Sequence, residues 1–160
     1  MSRVQLALNV ADLDEAVAFY TELFGTAPAK VRPGYANFAV ADPPLKLVLI
    51  DDAIQPPGTL NHLGVEVATT GEVVAAGERL AAAGVTTTVE DRTTCCYALQ
   101  DKVWVEGPPG HLWEVYTVLA DAEQPASGDA TPSAAAPDAA LCCAARPDLA
   151  APGAVAGRCC

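Results

Sequence analysis

At 160 residues, the chain has room for one domain of ordinary size or two very small ones. Its net charge of -11 disfavours nonspecific binding to nucleic acid or to an anionic membrane surface, both of which select basic patches. No apolar run approaches the roughly 20 residues that span a bilayer. The opening stretch MSRVQLALNVADLDEA is broken by Asp12, Asp14 and Glu15 and lacks a small-residue cleavage site, so it does not read as a signal peptide and the cytoplasm is the expected compartment.

In chain order, VQLALNV (4–10) reads as a strand. ADLDEAVAFYTELFG then carries apolar residues at 13, 16, 17, 20, 23 and 24, the spacing of an amphipathic helix. Asp12 and Glu15 form a capping-box-like start, and Gly25 a stop. Strand candidates follow at 35–40 and 45–50. A shift of 57 residues restores the pattern: NHLGVEVA (61–68) is a strand, Thr69 and Glu72 repeat the capping pair, and a helix runs to about Ala83 before Gly84. Further strands are expected at 85–89, 99–105 and 111–116. The unit of strand, helix and two or three strands is therefore used twice.

Neither unit holds enough core alone. The expected fold is α+β, with two paired βαβββ modules (about 3–50 and 60–118) forming a curved mixed sheet, helices outside, around a cleft. This domain ends near residue 120. Residues 121–160 are nearly all Ala, Pro, Gly, Ser, Asp and Thr, which bury too little apolar surface to offset the entropy of ordering, and are expected to be a disordered tail.

All six cysteines come in adjacent pairs: Cys95 with Cys96, Cys142 with Cys143, Cys159 with Cys160. A secreted disulfide framework would spread them through the core. Neighbouring Cα atoms also lie about 3.8 Å apart, short of the roughly 4.4–6.8 Å that disulfides span. Reduced thiols fit this pattern best.

Three polar residues interrupt the apolar strands. Gln5 sits between Val4 and Leu6, His62 opens a strand containing Leu63, Val65 and Val67, and Glu114 lies between Trp113 and Val115. The 57-residue shift puts His62 on Gln5, and aligning HLWEVY with LKLVLI puts Glu114 on Val48. An amide oxygen, an imidazole and a carboxylate from three strands make a three-ligand metal site with open positions. The alternative is three separate surface residues on a half-exposed sheet. The remaining histidine, His111, falls on the other face.

Paired βαβββ units with ligands on first and last strands resemble the vicinal oxygen chelate superfamily over residues 3 to about 118. The stretches NHLGVEV and CCYALQDKVWVEGPPGHLWEVY are more specific. With the adjacent cysteines, Tyr97, Gln100, Lys102 and the WEVY strand, they resemble the organoarsenical C-As lyases and the related cadmium-induced proteins. That resemblance implies an Fe(II)-dependent dioxygenase that cleaves the carbon-arsenic bond of trivalent methyl and aromatic arsenicals. Gln5, His62 and Glu114 would bind Fe(II), dioxygen would be co-substrate, and Cys95 with Cys96 would bind the arsenical. With the net charge of -11, no nucleic-acid or membrane partner is expected, and the repeat, whose modules can close within one chain or be exchanged between chains, leaves monomer and homodimer open.

Trivalent arsenic is thiophilic, as soft centres are. In a regular strand adjacent side chains point to opposite faces, so Cys95 and Cys96 can converge only from a loop or an irregular strand end. The thiolate is the binding form; Arg92 and Lys102 are the nearby cations, with Tyr97 as further support. EGPPG (106–110) is a candidate flap. Two other functions stay open: a glyoxalase-like lyase or thiol transferase, which a glutamine ligand suits, and a non-catalytic arsenical- or cadmium-binding protein, which the tail cysteines suit.

Overall fold

A computed structural model describes residues 2–51, 55–108 and 110–123. The first module comprises β1 (Arg3–Asn9), α1 (Leu13–Phe24), β2 (Lys30–Arg32), β3 (Tyr35–Val40) and β4 (Leu45–Ile50). The second comprises β5 (Leu60–Glu66), α2 (Thr70–Ala82), β6 (Thr87–Cys95), β7 (Ala98–Gly107) and β8 (His111–Asp121). Each is a βαβββ unit. The strands form one mixed sheet in the order β2-β3-β4-β1-β5-β8-β7-β6.

The helix starts follow from their caps. Asp12 accepts from the Glu15 N–H at the head of α1, and Thr69 with Glu72 completes a reciprocal capping box at α2. Gly25, with φ 61°, closes α1 in the left-handed conformation that glycine adopts cheaply. Leu13, Ala16, Val17, Tyr20 and Phe24 pack on Phe38, Leu47 and Leu49. Leu23, expected on that apolar face, is instead exposed beside Phe19.

The two modules join through β1 and β5, which pair antiparallel with Leu6 opposite Leu63. Those two residues are 57 positions apart, so a local twofold axis passes between them and relates the copies. The same axis maps the Gln5–Gly64 pair onto the Ala7–His62 pair. It also equates two parallel pairings, β1 with β4 (Ala7 to Val48) and β5 with β8 (Gly64 to Glu114). Val48 and Glu114 are thus counterparts, as the sequence alignment has them.

Alternation puts Leu6, Leu8, Leu47 and Leu49 toward α1, and Gln5, Ala7, Lys46 and Val48 on the opposite, concave face. Both faces are buried at the centre of the sheet: Gln5, Ala7 and Val48 are all under 5% exposed on the concave side and Leu47 and Leu49 are as deeply covered on the helix side, where only Leu6 and Leu8 are half-buried. The curl of the sheet thus encloses polar side chains such as Gln5 and His62 about as completely as α1 covers the apolar ones.

Three elements depart from the expected boundaries. β2 is an additional strand, formed because Pro33 and Gly34 make a two-residue turn that pairs Arg32 with Tyr35. β6 runs on to Cys95, and β8 continues to Asp121, because β7 pairs along both of them, ending with Ala98 opposite Asp121. The chain therefore keeps sheet pairing past residue 120. Asp121 pairs with Lys30, and the Ala122 N–H donates to the Tyr97 carbonyl. Residues 124–160, with Cys142, Cys143, Cys159 and Cys160, lie outside the described residues, as does the expectation of a disordered tail. The described residues of EGPPG lie at the end of the β7–β8 hairpin, with Glu106 opposite Leu112 and Gly107 opposite His111.

Candidate metal centre

Gln5, His62 and Glu114 project from the adjacent strands β1, β5 and β8 into one cavity on the concave face. Gln5 Nε2 donates to Glu114 Oε1 at 2.7 Å and lies 3.0 Å from His62 Nε2, which is 3.4 Å from Glu114 Oε1. Among the described residues, no group of three His, Cys, Asp or Glu is placed to hold a metal ion; the set reaches three only when Gln5 is counted.

The spacing allows a direct test of fit. Three ligands on one face of an octahedron with bonds of about 2.1 Å are separated by about 3.0 Å. In the observed triangle of 2.7, 3.0 and 3.4 Å the Gln5 corner is the amide Nε2; turning the amide over places Oε1 at that corner, and three acceptors so spaced match that edge. A neutral amide, an imidazole and a carboxylate on one face also have the donor types of a facial triad, with an amide replacing one imidazole. A divalent first-row metal fits the residues present.

Outer contacts orient each donor. His62 Nδ1 lies 2.7 Å from Asn61 Oδ1, an acceptor that fixes the ring proton on Nδ1 and leaves the Nε2 lone pair facing the triad. Asn61 in turn donates to Asn9, Asn9 to Thr59, and Thr59 to the Pro56 carbonyl. Trp104 meets the His62 ring edge-on at 5.4 Å. Glu114 Oε2 accepts from Lys102 Nζ at 2.8 Å, with both side chains almost fully buried. Burial works against the Glu114 charge, but the Lys102 ammonium outweighs it and holds the carboxyl well below its usual range.

Behind Gln5 lies a second network. Tyr116 Oη is 2.6 Å from Gln5 Oε1 and 2.9 Å from Glu66 Oε2. Lys46 Nζ donates to Tyr116 Oη at 3.0 Å and pairs with Glu66, which Arg3 also holds. Burial, with Glu114 and Glu66 nearby, pushes the Tyr116 hydroxyl pKa up, so it stays protonated. Lys46, Glu66, Asn61 and Tyr116 were not singled out from the sequence. The rule that found Gln5 would have reached Lys46 in LKLVLI and Glu66 in GVEVA, since each is polar between apolar strand neighbours.

The cysteines reach the same cavity from the β6–β7 hairpin. Cys95 pairs with Ala98, leaving Cys96 and Tyr97 as a two-residue turn with φ of 51° and 63°. Positive φ at both positions is the pattern of a type I′ turn, which Asn and Gly normally occupy. Holding two non-glycine residues there is strained, at about 1–3 kcal/mol each. The turn brings the two Sγ atoms within 3.3 Å, and both cysteines line the cavity with the triad, Gln100 and Lys102. At 3.3 Å they are not disulfide-bonded, since an S–S bond is about 2.05 Å.

The support residues separate. Lys102 lines the cavity, and Tyr97 packs behind it on Tyr35 with ring centroids 5.8 Å apart. Arg92 is exposed at a bulge in β6, where its backbone N–H donates to Asp101, and is not among the lining residues. His111 is exposed, and no described residue of EGPPG lines the cavity.

Residues 3–115 match the Glyoxalase/Bleomycin resistance protein/Dioxygenase superfamily. The chain is 58% identical over 143 residues to cadmium-induced protein CadI of Mycobacterium bovis, covering 89% of this chain and 93% of that one. It is 54% identical over 160 residues, the whole of both chains, to the trivalent organoarsenical cleaving enzyme of Thermomonospora curvata. Among solved structures, the 2,3-dioxygenase LapB of Pseudomonas sp. KL28 is similar, with a TM-score of 0.56 at 20% identity over 75% of this chain and 42% of that one. At that identity the likeness is one of fold.

Proposed function

Because the chain belongs to the Glyoxalase/Bleomycin resistance protein/Dioxygenase superfamily and to its branch of organoarsenical cleaving enzymes and cadmium-induced proteins, we propose that it cleaves the carbon-arsenic bond of trivalent organoarsenicals at the cavity described above. The observation that carries this reading is the meeting of two thiols, 3.3 Å apart, with the Gln5, His62 and Glu114 triad in one cavity. A soft centre with sulfur bonds of about 2.3 Å, as in Zn–S, spans two sulfurs 3.3 Å apart at an angle of about 92°. Trivalent arsenic is pyramidal with bond angles near a right angle, so Cys95 and Cys96 can hold it as a clamp that leaves its third bond, the one to carbon, directed into the cavity.

Gln5, His62 and Glu114 would hold Fe(II), which when bound supplies the redox chemistry that dioxygen needs to react with a closed-shell substrate. The protein's own part is to orient. Glu114 supplies the negative charge of the triad and stays ionised through Lys102. Asn61 keeps the His62 lone pair aimed inward. The strained Cys96–Tyr97 turn fixes the thiols beside the triad before substrate arrives, in keeping with the use of strain for preorganisation. For methylarsenous acid the overall reaction balances as CH3As(OH)2 + O2 giving HCHO + As(OH)3. The carbon leaves as formaldehyde and arsenic as arsenite.

The high identity to cadmium-induced proteins favours a second reading, thiol-based sequestration without turnover. One experiment separates the two. Protein loaded anaerobically with Fe(II) is given methylarsenite and then air, and arsenite and formaldehyde are measured. Equimolar products support cleavage; binding with neither product leaves sequestration. Cys96→Ser should abolish turnover while keeping its iron, and turnover at the wild-type rate in that variant would refute the clamp.

A further inference from the structure

The Gln5 amide has two orientations of equal shape and opposite hydrogen-bonding character. With Nε2 turned inward, it donates to Glu114 and faces the His62 lone pair, at 2.7 and 3.0 Å. In that orientation its outward Oε1 competes with Glu66 for the Tyr116 hydroxyl, 2.6 and 2.9 Å away. A phenol has one proton, so one of these two acceptors is left without it.

With Oε1 turned inward the balance reverses. Oε1 then meets the imidazole lone pair and the carboxylate, three acceptors together, an arrangement that only a cation between them relieves. Outside, every bond can be made: Gln5 Nε2 donates to Tyr116 Oη, Tyr116 gives its proton to Glu66, and Lys46, 3.0 Å from Oη, donates as well. The phenol then uses its one donor and two acceptor sites in full.

We propose that Tyr116, held by Lys46 and Glu66, is a positioning residue that turns the Gln5 amide so that its oxygen faces the bound metal. This rests on the metal-site reading above and deepens it. It explains how a neutral amide, whose wrong end is a donor, serves as a ligand: the outer network distinguishes nitrogen from oxygen, which shape alone does not. The local twofold relates Glu66 to Asn9, 57 residues apart, and each closes the outer network of one ligand, Asn9 through Asn61 to His62 and Glu66 through Tyr116 to Gln5.

The test is a double-mutant cycle read by binding of the metal alone, titrating Co(II) anaerobically under its visible absorption. Tyr116→Phe should weaken Co(II) binding by roughly 10- to 100-fold, the range for loss of an outer-shell partner. In a Gln5→Glu background both ligand oxygens are equivalent and no orienting group is needed, so the same substitution should cost less than about threefold. Equal losses in both backgrounds would overturn the positioning role and leave the metal site standing. No Co(II) uptake by the wild type would remove the metal reading and the proposal together. If the Phe variant fails to fold, the wild-type side-chain amide signals of Gln5, assigned by their loss in Gln5→Glu, decide: they should move on addition of Zn(II), and signals that stay fixed while Zn(II) binds would overturn the proposal.

Discussion

Gly64 lies opposite Gln5 in one pairing and beside Glu114 in the next, and its backbone φ is unexceptional, so space alone explains the glycine. A Cβ there would sit 3.1 Å from Gln5 Cβ, 3.2 Å from Gln5 Nε2 and 3.2 Å from Glu114 Cγ. Ordinary carbon contacts need about 3.5–4.0 Å, so Gly64→Ala must push both candidate ligands by about 0.3 Å or more. Metal sites tolerate about ±0.2 Å in ligand distance, and Co(II) affinity should fall at least about tenfold. For stability, alanine recovers about 0.5–1 kcal/mol of backbone entropy against an overpacking penalty of about 1–3 kcal/mol. The net is a loss of about 1 kcal/mol, lowering Tm by about 4 °C. Thermal melting and anaerobic Co(II) titration measure both effects. A raised Tm with unchanged affinity would refute the reasoning, because it would mean the methyl fits and the two ligands are not held by that contact.

Lys102→Met removes the ammonium from an almost fully buried pair and strands the Glu114 carboxylate; unfolding in denaturant should show a loss of about 3–5 kcal/mol, and a loss below about 1 kcal/mol would contradict the pairing. Acid sensitivity follows from the depressed carboxyls of Glu114 and Glu66. The unfolded chain binds more protons there than the native one, so this stabilisation is complete above the unfolded value of about 4.3 and is lost as pH falls below it. Glu114→Gln should flatten the decline of Tm with pH in that range, and an unchanged slope would show that Glu114 does not contribute.

The repeat made much of this legible. Its 57-residue shift is the same number that sets Leu6 opposite Leu63, so aligning the copies amounted to finding the symmetry axis of the sheet. Gln5, His62 and Glu114 were visible because alternation exposes a polar residue in an apolar strand, and the structure brings them within 3.4 Å. The turn of Cys96 and Tyr97 is foreseen only as a loop or an irregular strand end, since neither residue type announces positive φ. β2 was missed because its three residues include Lys30 and Arg32, and its signal lay in Pro33–Gly34. Arg92 showed the limit of nearness in sequence: three positions before Cys95, it is carried outward by a bulge. The Tyr116, Glu66 and Lys46 network depends on which strands become neighbours, which no single-strand pattern contains.

A duplicated module begins with everything in twos. The axis between Leu6 and Leu63 would give an undiverged pair of copies the same residue at 5 and 62, and the same at 48 and 114. What the two halves contribute here is their difference: an amide facing an imidazole, and a valine where its counterpart is a carboxylate. Val48 belongs to the apolar cluster with Tyr35 and Tyr97 against which Cys96 packs, so the half without the acid forms an apolar wall on the thiol side of the cavity. The second copy thus supplies the carboxylate and the first an apolar wall. A carboxylate at Val48 would make the cavity more symmetric and put a charge into its apolar wall.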